Sequence, residues 1–251
     1  MTSIQGKKLI IFDLDGTLTP PKQDMEPVTA ELLTNLIKNI QVAVISGGNY
    51  LRFQNQFLKS LPQGVDGLSN LYLLPTSGTR LLVWQNDWVE KYKEELSEQE
   101  RKEVKDALTL SIDQSGLEKP TETFGQIIED RGSQITFSAL GQEAPLELKV
   151  KWDPTHEKRQ KIIDILRPKL PKFDIRIGGT TSIDITRRGM NKAYGIHKLE
   201  QYLKISLSDM LFVGDALFYG GNDYPVKATG IDCIEVKGPE ETDQLIKSWF
   251  A

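Results

Sequence analysis

The sequence has a single cysteine, Cys233, among its 251 residues, which excludes a fold held by intramolecular disulfides. It has no apolar run near the roughly 20 residues that span a bilayer, and its polar start lacks the apolar stretch of a signal peptide. Neither sign of charge dominates, because 31 Lys and Arg residues stand against 35 Asp and Glu residues. We therefore expect a cytoplasmic protein without nucleic-acid or membrane partners.

Internal repeats and low-complexity tracts are also missing, which leaves a globular domain as the simplest interpretation. Short apolar runs that end in turn signals predict buried strands at residues 9–12, 42–45, 71–74 and 210–213. Helical patterns at residues 28–37 and 50–61 separate the first three of these runs. This alternation predicts an α/β fold with a doubly wound, Rossmann-like parallel sheet.

A different pattern begins near Val83. Ser97 and Glu100 form a capping-box signature ahead of a charged amphipathic helix, after which short alternating segments and another helix are expected. These expected elements are strands at residues 126–130, 134–138, 174–177 and 182–185 and a helix at residues 153–167. Strands and helices of this kind predict an α+β arrangement for the middle of the chain.

The helix–strand alternation returns from Asn191 and continues to a last helix at residues 239–249. The two outer parts of the chain therefore share one pattern and the middle part has another. We predict that residues 1–83 and 188–251 together form a single α/β core. Residues 84–187 are predicted to form an α+β domain inserted into that core.

Two carboxylates lie two residues apart directly after the first predicted strand, in Asp13-Leu14-Asp15-Gly16-Thr17. Doubly wound sheets hold ligands at this end of their strands. Unpaired carboxylates there would repel each other, which a bound Mg²⁺ offsets with its preference for hard oxygen ligands. A carboxylate can attack phosphorus while a second one transfers the proton. The segment predicts Asp13 as nucleophile, Asp15 as acid/base and Thr17 as a phosphate-binding hydroxyl; the alternative is a turn in which the aspartates only cap backbone groups.

Two further polar residues are candidates for binding the phosphoryl group. Ser46 follows the second predicted strand, beside glycines whose backbone N–H groups can donate to phosphoryl oxygens. Lys192 is expected at the start of a helix, where the helix dipole disfavours a cation unless negative charge lies nearby. A phosphoryl group on Asp13 would supply that charge. A plain turn at Ser46 and a solvated lysine at 192 are the alternatives.

A third strand end adds another acidic group. Asp215 follows the strand expected at residues 210–213 and is predicted to be a metal ligand. The loop beyond it contains Asn222 and Asp223, which we expect to contact and orient the metal ligands without binding the metal themselves. An ordinary turn explains the Gly-Gly-Asn-Asp sequence almost equally well.

Taken together, these segments resemble the four motifs of the haloacid dehalogenase superfamily: a DxDGT strand end, a serine or threonine at a second strand end, a lysine, and an acidic GD...ND loop. The resemblance implies a catalytic set of Asp13, Asp15, Ser46 and Lys192. It also implies that Mg²⁺ is bound by Asp13, the backbone carbonyl of Asp15, and Asp215. The insertion resembles the type IIB cap, which implies that it closes over the site and selects the substrate.

Nearly the whole chain also resembles the eukaryotic-type phosphomannomutases of that branch. The similar segments are residues 13–23, 129–141, 178–184 and 214–223. The resemblance implies a small phosphorylated sugar as substrate, interconversion of mannose 1-phosphate and mannose 6-phosphate, and a homodimer formed through the cap. It further implies that Lys22, Arg131, Ser182 and Asp184 bind the substrate's sugar and distal phosphate.

The sequence departs from that family where a distal phosphate would be held. Gln142 occupies the position of a second cap arginine, and Lys22 replaces an arginine of the core. Gln142 carries no charge and lysine lacks the bidentate fork of arginine, although Lys149, Lys151 or Arg176 are candidates to compensate. Sugar-phosphate hydrolysis is therefore the alternative to mutase activity. A signalling receiver domain also phosphorylates an aspartate, but it is about half this length and lacks an insertion.

Overall fold

The computed structural model describes residues 4–21, 23–118 and 120–250. It divides into two compact units, one formed by the chain before Glu94 and after Met190, the other by Glu94–Met190. The insertion expected at residues 84–187 differs from this division at both ends. The larger difference arises because Trp88–Lys93 forms a strand that pairs within the sheet of the first unit.

Eleven strands occur in the described ranges. In chain order they are β1 (Leu9–Asp13), β2 (Gln41–Ile45), β3 (Leu71–Leu74), β4 (Arg80–Trp84), β5 (Trp88–Lys93), β6 (Ile128–Asp130), β7 (Gln134–Ser138), β8 (Phe173–Gly178), β9 (Ser182–Arg187), β10 (Met210–Gly214) and β11 (Asp232–Glu235). Besides four short 3₁₀ turns, the same ranges contain nine α-helices: α1 (Pro27–Ile37), α2 (Tyr50–Gln56), α3 (Pro75–Gly78), α4 (Glu98–Gln114), α5 (Leu146–Trp152), α6 (Glu157–Leu166), α7 (Lys192–Leu203), α8 (Tyr224–Lys227) and α9 (Pro239–Ser248). Every one of these helices is too short or too polar to cross a bilayer.

The sheet of the first unit has the strand order β11-β10-β1-β2-β3-β4-β5 over the described residues. The strands from β11 to β3 run parallel, which confirms the predicted α/β class with a doubly wound parallel sheet. The antiparallel hairpin of β4 and β5 extends one edge and was not predicted. Its outer strand is half charged and mostly exposed, so it lacks the continuous apolar run of a buried strand.

Both faces of this sheet are covered. Ile10 and Phe12 of β1 pack into a cluster that includes residues of α1 and α9. Leu9 and Ile11 point the opposite way and pack with residues of α7. Burying a large aliphatic or aromatic side chain contributes about 1.5 to 3 kcal/mol each, so these clusters hold the strand firmly between two helical layers. Asp13 continues the alternation of Leu9 and Ile11 at the end of the strand.

The second unit is an antiparallel sheet in the order β6-β7-β9-β8, with α4 and α6 packed on it. The capping box predicted for α4 is confirmed, because Ser97 Oγ accepts from the Glu100 N–H and the Glu100 carboxylate accepts from the Ser97 N–H. Helix α6 starts at Glu157 rather than at the predicted residue 153. Asp153 instead accepts hydrogen bonds from the N–H groups of the first turn of α6, as a capping side chain does.

Candidate active site

Parallel pairing brings the polar segments that follow the strands to one edge of the sheet. Asp13 pairs with Ile45, and Phe12 pairs with Val213. Ser46, which follows Ile45, therefore lies at the end of β2 next to the end of β1. Asp215 follows β10, the neighbour of β1 on the other side. The predicted convergence of these strand ends follows from this register.

Three carboxylates meet at this edge. Asp13, Asp215 and Asp223 each offer an oxygen, and these oxygens lie within 4.8 Å of one another. The Asp13 and Asp223 side chains are only 3% and 0% exposed, so water does little to screen their repulsion. Asp223 was predicted to orient the metal ligands without binding the metal, but its carboxylate is part of the cluster itself.

Lys192 is the first residue of α7, where the sequence predicted it. The helix starts there because Asn191 caps it, with Oδ1 accepting from the N–H of Tyr194 at 3.3 Å. The buried Nζ of Lys192 lies 2.6 Å from Oδ1 of Asp13 and 2.5 Å from Oδ1 of Asp223. Burial disfavours the ammonium, but the carboxylates of Asp13 and Asp223 outweigh it and raise the pKa of Lys192 above its ordinary value.

The remaining negative charge makes the cluster suited to a divalent cation. Burial raises the pKa of Asp13 well above its ordinary value, even though the nearby Lys192 opposes the shift. Burial, together with the charge of Asp223, also raises the pKa of Asp215. One ammonium group does not neutralise three carboxylates, and carboxylate oxygens are the ligands that hard divalent cations prefer. The donor set therefore fits a divalent metal.

Two glycines let the carboxylates approach the backbone this closely. A Cβ on Gly16, whose φ is +84°, would lie 2.5 Å from Oδ2 of Asp215. A Cβ on Gly214 would lie 2.5 Å from Oδ2 of Asp223, the atom that accepts a hydrogen bond from the N–H of Ala216. Any larger residue at either position would displace a carboxylate of the cluster. The buried Thr17 Oγ1 lies 3.4 Å from Oδ1 of Asp215.

The carboxylate of Asp15 has a different environment and is half-buried. Its Oδ2 atom accepts from Oγ of Ser46 at 3.3 Å, and its Oδ1 atom lies 3.0 Å from Nη2 of Arg52. The structure therefore joins the predicted acid/base to the predicted serine. It also adds Arg52, which sequence reasoning missed. The sequence contained a usable signal. Asn49 predicts a helix start, and Arg52 then lies in the first turn of that helix, where a cation is disfavoured unless negative charge lies nearby, as at Lys192.

A left-handed turn supports the loop that carries Ser46. Thr76 and Ser77 have φ values of 49° and 58°, a conformation that costs about 1 to 3 kcal/mol for a residue other than glycine. Their N–H groups donate to the carbonyls of Gly48 and Ser46, both at 2.8 Å. The strained turn thus holds the loop beside Asp15. Sequence patterns did not indicate it, because neither residue is a glycine.

In the second unit, Arg131 forms an ion pair with Glu129. Its Nε and Nη2 atoms lie 2.8 Å and 2.7 Å from Oε2 of Glu129, and Nη2 lies 3.5 Å from Oε1 of Gln142. Lys149 is buried, and its Nζ atom donates to the Gln142 carbonyl at 2.7 Å. Lys151, by contrast, is exposed. Of the three candidate replacements, Lys149 therefore contacts the Gln142 segment.

The remaining predicted residues lie in varied surroundings. Asp184 is half-buried and accepts from Oγ1 of Thr136 at 2.8 Å. The Ser182 carbonyl, at the start of β9, accepts from Nη1 of the fully buried Arg159 at 3.4 Å, and the same atom donates to the carbonyls of Gly178 and Gly179 at 2.9 Å and 2.8 Å. Asn222 is exposed, Arg176 pairs with Asp174 at 3.4 Å, and Lys22 lies outside the described residues.

Comparison with known proteins gives concordant similarities. The family model described as eukaryotic phosphomannomutase matches residues 29–251. The chain is similar to a phosphomannomutase of Dendrobium officinale, with 29% identity covering 100% of this chain and 97% of that protein. It is 30% identical to a phosphomannomutase of Spinacia oleracea, covering 88% and 86% of the two chains. A solved haloacid dehalogenase-like hydrolase from Bacteroides thetaiotaomicron shares the fold, with a TM-score of 0.66, 15% identity, and coverage of 96% and 99%.

Proposed function

Because the chain belongs to the eukaryotic phosphomannomutase family, we propose that it interconverts mannose 1-phosphate and mannose 6-phosphate through an aspartyl phosphate on Asp13. The observation that carries this proposal is the buried cluster in which Lys192 lies between Asp13 and Asp223. A buried carboxylate beside a fixed cation is suited to accept a phosphoryl group, because the cation offsets the charge that the phosphoryl group brings. The small phosphorylated sugar is the substrate class that the family implies.

The proposed reaction has two steps that share the same residues. In the first, a carboxylate oxygen of Asp13 bonds to phosphorus while the bond to the leaving oxygen breaks, and Asp15 gives that oxygen its proton. In the second, the acceptor hydroxyl gives its proton to Asp15 while its oxygen bonds to phosphorus and releases Asp13. Ser46 and Lys192 bind the phosphoryl oxygens during both steps.

We propose Mg²⁺ as the divalent metal. Asp13, Asp215 and Asp223 would hold it, together with the backbone carbonyl of Asp15 that the family resemblance implies. When bound, it would supply positive charge to the phosphoryl group and reduce the repulsion between that group and the carboxylates. The close approach of these carboxylates through Gly16 and Gly214 supports this assignment.

Arg131, Ser182 and Asp184 are proposed to bind the part of the substrate that does not react, and so is Lys22. Thr17 is proposed to offer its hydroxyl to the reacting phosphoryl group. The Nε2 atom of Gln142 is buried and has no hydrogen-bond partner among the described residues. A buried donor of this kind supports the proposal that a polar ligand binds in the second unit. The positions of these residues relative to the substrate follow from the family resemblance.

Hydrolysis of a sugar phosphate is the second candidate, and one observation favours it. Glu129 already neutralises Arg131, and the uncharged Gln142 stands where a second arginine was expected. A mutase has to retain an intermediate with two phosphates, whereas a phosphatase releases its product. A weak anion site in the second unit therefore favours release.

Phosphorus NMR tests both candidates in one sample. The protein is incubated with mannose 1-phosphate, Mg²⁺ and a hexose bisphosphate, which supplies the first phosphoryl group to Asp13. Conversion to mannose 6-phosphate supports the mutase. Inorganic phosphate without the 6-phosphate supports the phosphatase, and the absence of both products would contradict phosphoryl transfer on this substrate.

A further inference from the structure

Arg52 lies beside the carboxylate of Asp15 and has no role in the chemistry proposed above. Its Nη2 atom is 3.0 Å from Oδ1 of Asp15, and its Nε atom donates to Oε1 of Gln56 at 2.6 Å. Gln56 is buried one helical turn further along α2. The planar guanidinium is therefore held by the helix through one nitrogen while another nitrogen reaches the predicted acid/base.

The loop before α2 is built so that this side chain can reach Asp15. The N–H of Arg52 donates to Oδ1 of Asn49 at 3.1 Å, which fixes the first turn of the helix. A Cβ on Gly48 would lie 2.5 Å from Cδ of Arg52, so a side chain at residue 48 would block the path of the arginine. The absence of a side chain at Gly48 therefore leaves room for Arg52 to contact Asp15.

Asp15 consequently has a partner at each carboxylate oxygen, Ser46 at one and Arg52 at the other. Proton transfer requires the carboxyl group to lie within about 2.6 to 3.2 Å of the reacting oxygen, so its orientation decides how well it works. A half-buried aspartate with one partner could rotate out of reach. Two partners on separate elements, the loop after β2 and helix α2, restrict that rotation.

We propose that Arg52 is a positioning residue that orients the Asp15 carboxyl group toward the oxygen that leaves phosphorus. This role rests on the proposed phosphoryl transfer. As the bond from phosphorus to the leaving oxygen breaks and the bond to Asp13 forms, the proton of Asp15 passes to the leaving oxygen. Arg52 gives up no proton and keeps its charge throughout.

The test compares two phosphate donors that need the proton to different degrees. The sugar of mannose 6-phosphate leaves as an alkoxide unless its oxygen is protonated, whereas p-nitrophenyl phosphate releases p-nitrophenolate, a stabilised anion that needs no proton. Arg52→Ala is expected to lower kcat/KM for the sugar phosphate by about 100-fold, the lower range of general acid/base effects, and for the aryl phosphate by less than about fivefold. The value of kcat/KM is used because it reports the first phosphoryl transfer.

Arg80→Ala is the matched control. Arg80 also belongs to the first unit, pairs with Glu90, and has a side chain 23% exposed against 25% for Arg52. Its removal is expected to change neither rate. In an Asp15→Asn background, Arg52→Ala is expected to cause no further loss with the sugar phosphate, because a positioning residue acts only through Asp15.

Equal losses with both donors, or a full additional loss in the Asp15→Asn background, would overturn the role of Arg52. If Arg52→Ala does not fold, Gln56→Ala and Arg52→Lys replace it, and each should show the same selective loss to a smaller degree. Failure of the proposed function is distinguishable, since the unaltered protein would then transfer phosphate from neither donor. That result removes the role of Arg52 as well.

Discussion

The ammonium group of Lys192 lies 2.6 Å from Oδ1 of Asp13, and the two side chains are only 2% and 3% exposed. Its second partner is Asp223, so one lysine joins the first strand end to the loop after β10. Because burial strengthens electrostatic interactions, this lysine influences both the charge of the site and the stability of the fold around it.

Replacing Lys192 by methionine is expected to lower the free energy of unfolding by about 3 to 5 kcal/mol, because the carboxylates lose their buried partner. Mg²⁺ should then stabilise the variant more than the unaltered protein, since the ion neutralises the same groups. Urea unfolding with and without Mg²⁺ measures both effects. Lys237→Met is the control, because that side chain is 90% exposed and should change stability by less than about 0.5 kcal/mol. An equally small effect at Lys192 would contradict a compensating role.

Gly214→Ala is expected to weaken Mg²⁺ binding about 10- to 100-fold, as the loss of a group that orients metal ligands does. The new Cβ would lie 2.5 Å from Oδ2 of Asp223 and displace that carboxylate. Calorimetric titration with Mg²⁺ gives the affinity. A Cβ on Gly238 meets nothing within 4 Å, so Gly238→Ala serves as the control and should bind Mg²⁺ normally. Unchanged affinity in Gly214→Ala would mean that Asp223 does not contribute to the site.

The ion pair between Glu100 and Arg187 predicts how the second unit responds to acid. Hydrogen bonding to Arg187 lowers the pKa of Glu100 from 4.5 to about 2. Since the folded-state pKa is the lower one, the stabilisation is complete above pH 4.5 and disappears as the pH falls toward 2.

Glu100→Gln should therefore lower the free energy of unfolding by about 1 kcal/mol at pH 7, because the amide can keep the capping box but loses the charge that pairs with Arg187, and by less at low pH. Circular dichroism during urea unfolding at pH 7 and at low pH measures the difference. Glu98→Gln, on the same first turn, is the control. A constant destabilisation at all pH values would contradict the ion pair.

Arg131→Ala tests whether the second unit binds a distal phosphate. If it does, kcat/KM should fall about 10-fold or more for a mannose bisphosphate, whose second phosphate Arg131 would bind. The reason is that a hydrogen bond to a charged group is worth about 1.5 to 3 kcal/mol. An aryl phosphate without a distal anion should be nearly unaffected. Steady-state kinetics with both donors decide the matter, and equal losses would mean that Arg131, held by Glu129, is structural.

The parts of the fold that are apolar and continuous could be predicted from the sequence. Strands β1, β2, β3 and β10 are buried throughout or nearly so, and their runs of aliphatic residues predicted both their positions and the site at their ends. Strand β5 could not be predicted, because its exposed outer face carries charges in place of apolar residues.

The missing parts of the site depend on contacts between residues distant in sequence. Asp15 and Arg52 are separated by 37 positions and meet only once β1 and β2 pair. Asp223 was expected outside the carboxylate cluster, because nothing in a Gly-Asn-Asp sequence shows that its side chain is completely buried. Local sequence therefore predicted Asp13 and Lys192 as neighbours, but it predicted neither the contact of Arg52 with Asp15 nor the burial of Asp223.

The most direct test of the whole account is to find where the phosphoryl group resides during turnover. The protein is mixed with a hexose bisphosphate and Mg²⁺, quenched rapidly in acid, digested and analysed by mass spectrometry. We predict one added phosphoryl group on the peptide that contains Asp13, and none in Asp13→Asn, which should also lose all turnover. A phosphorylated Ser46, or turnover that survives in Asp13→Asn, would contradict it.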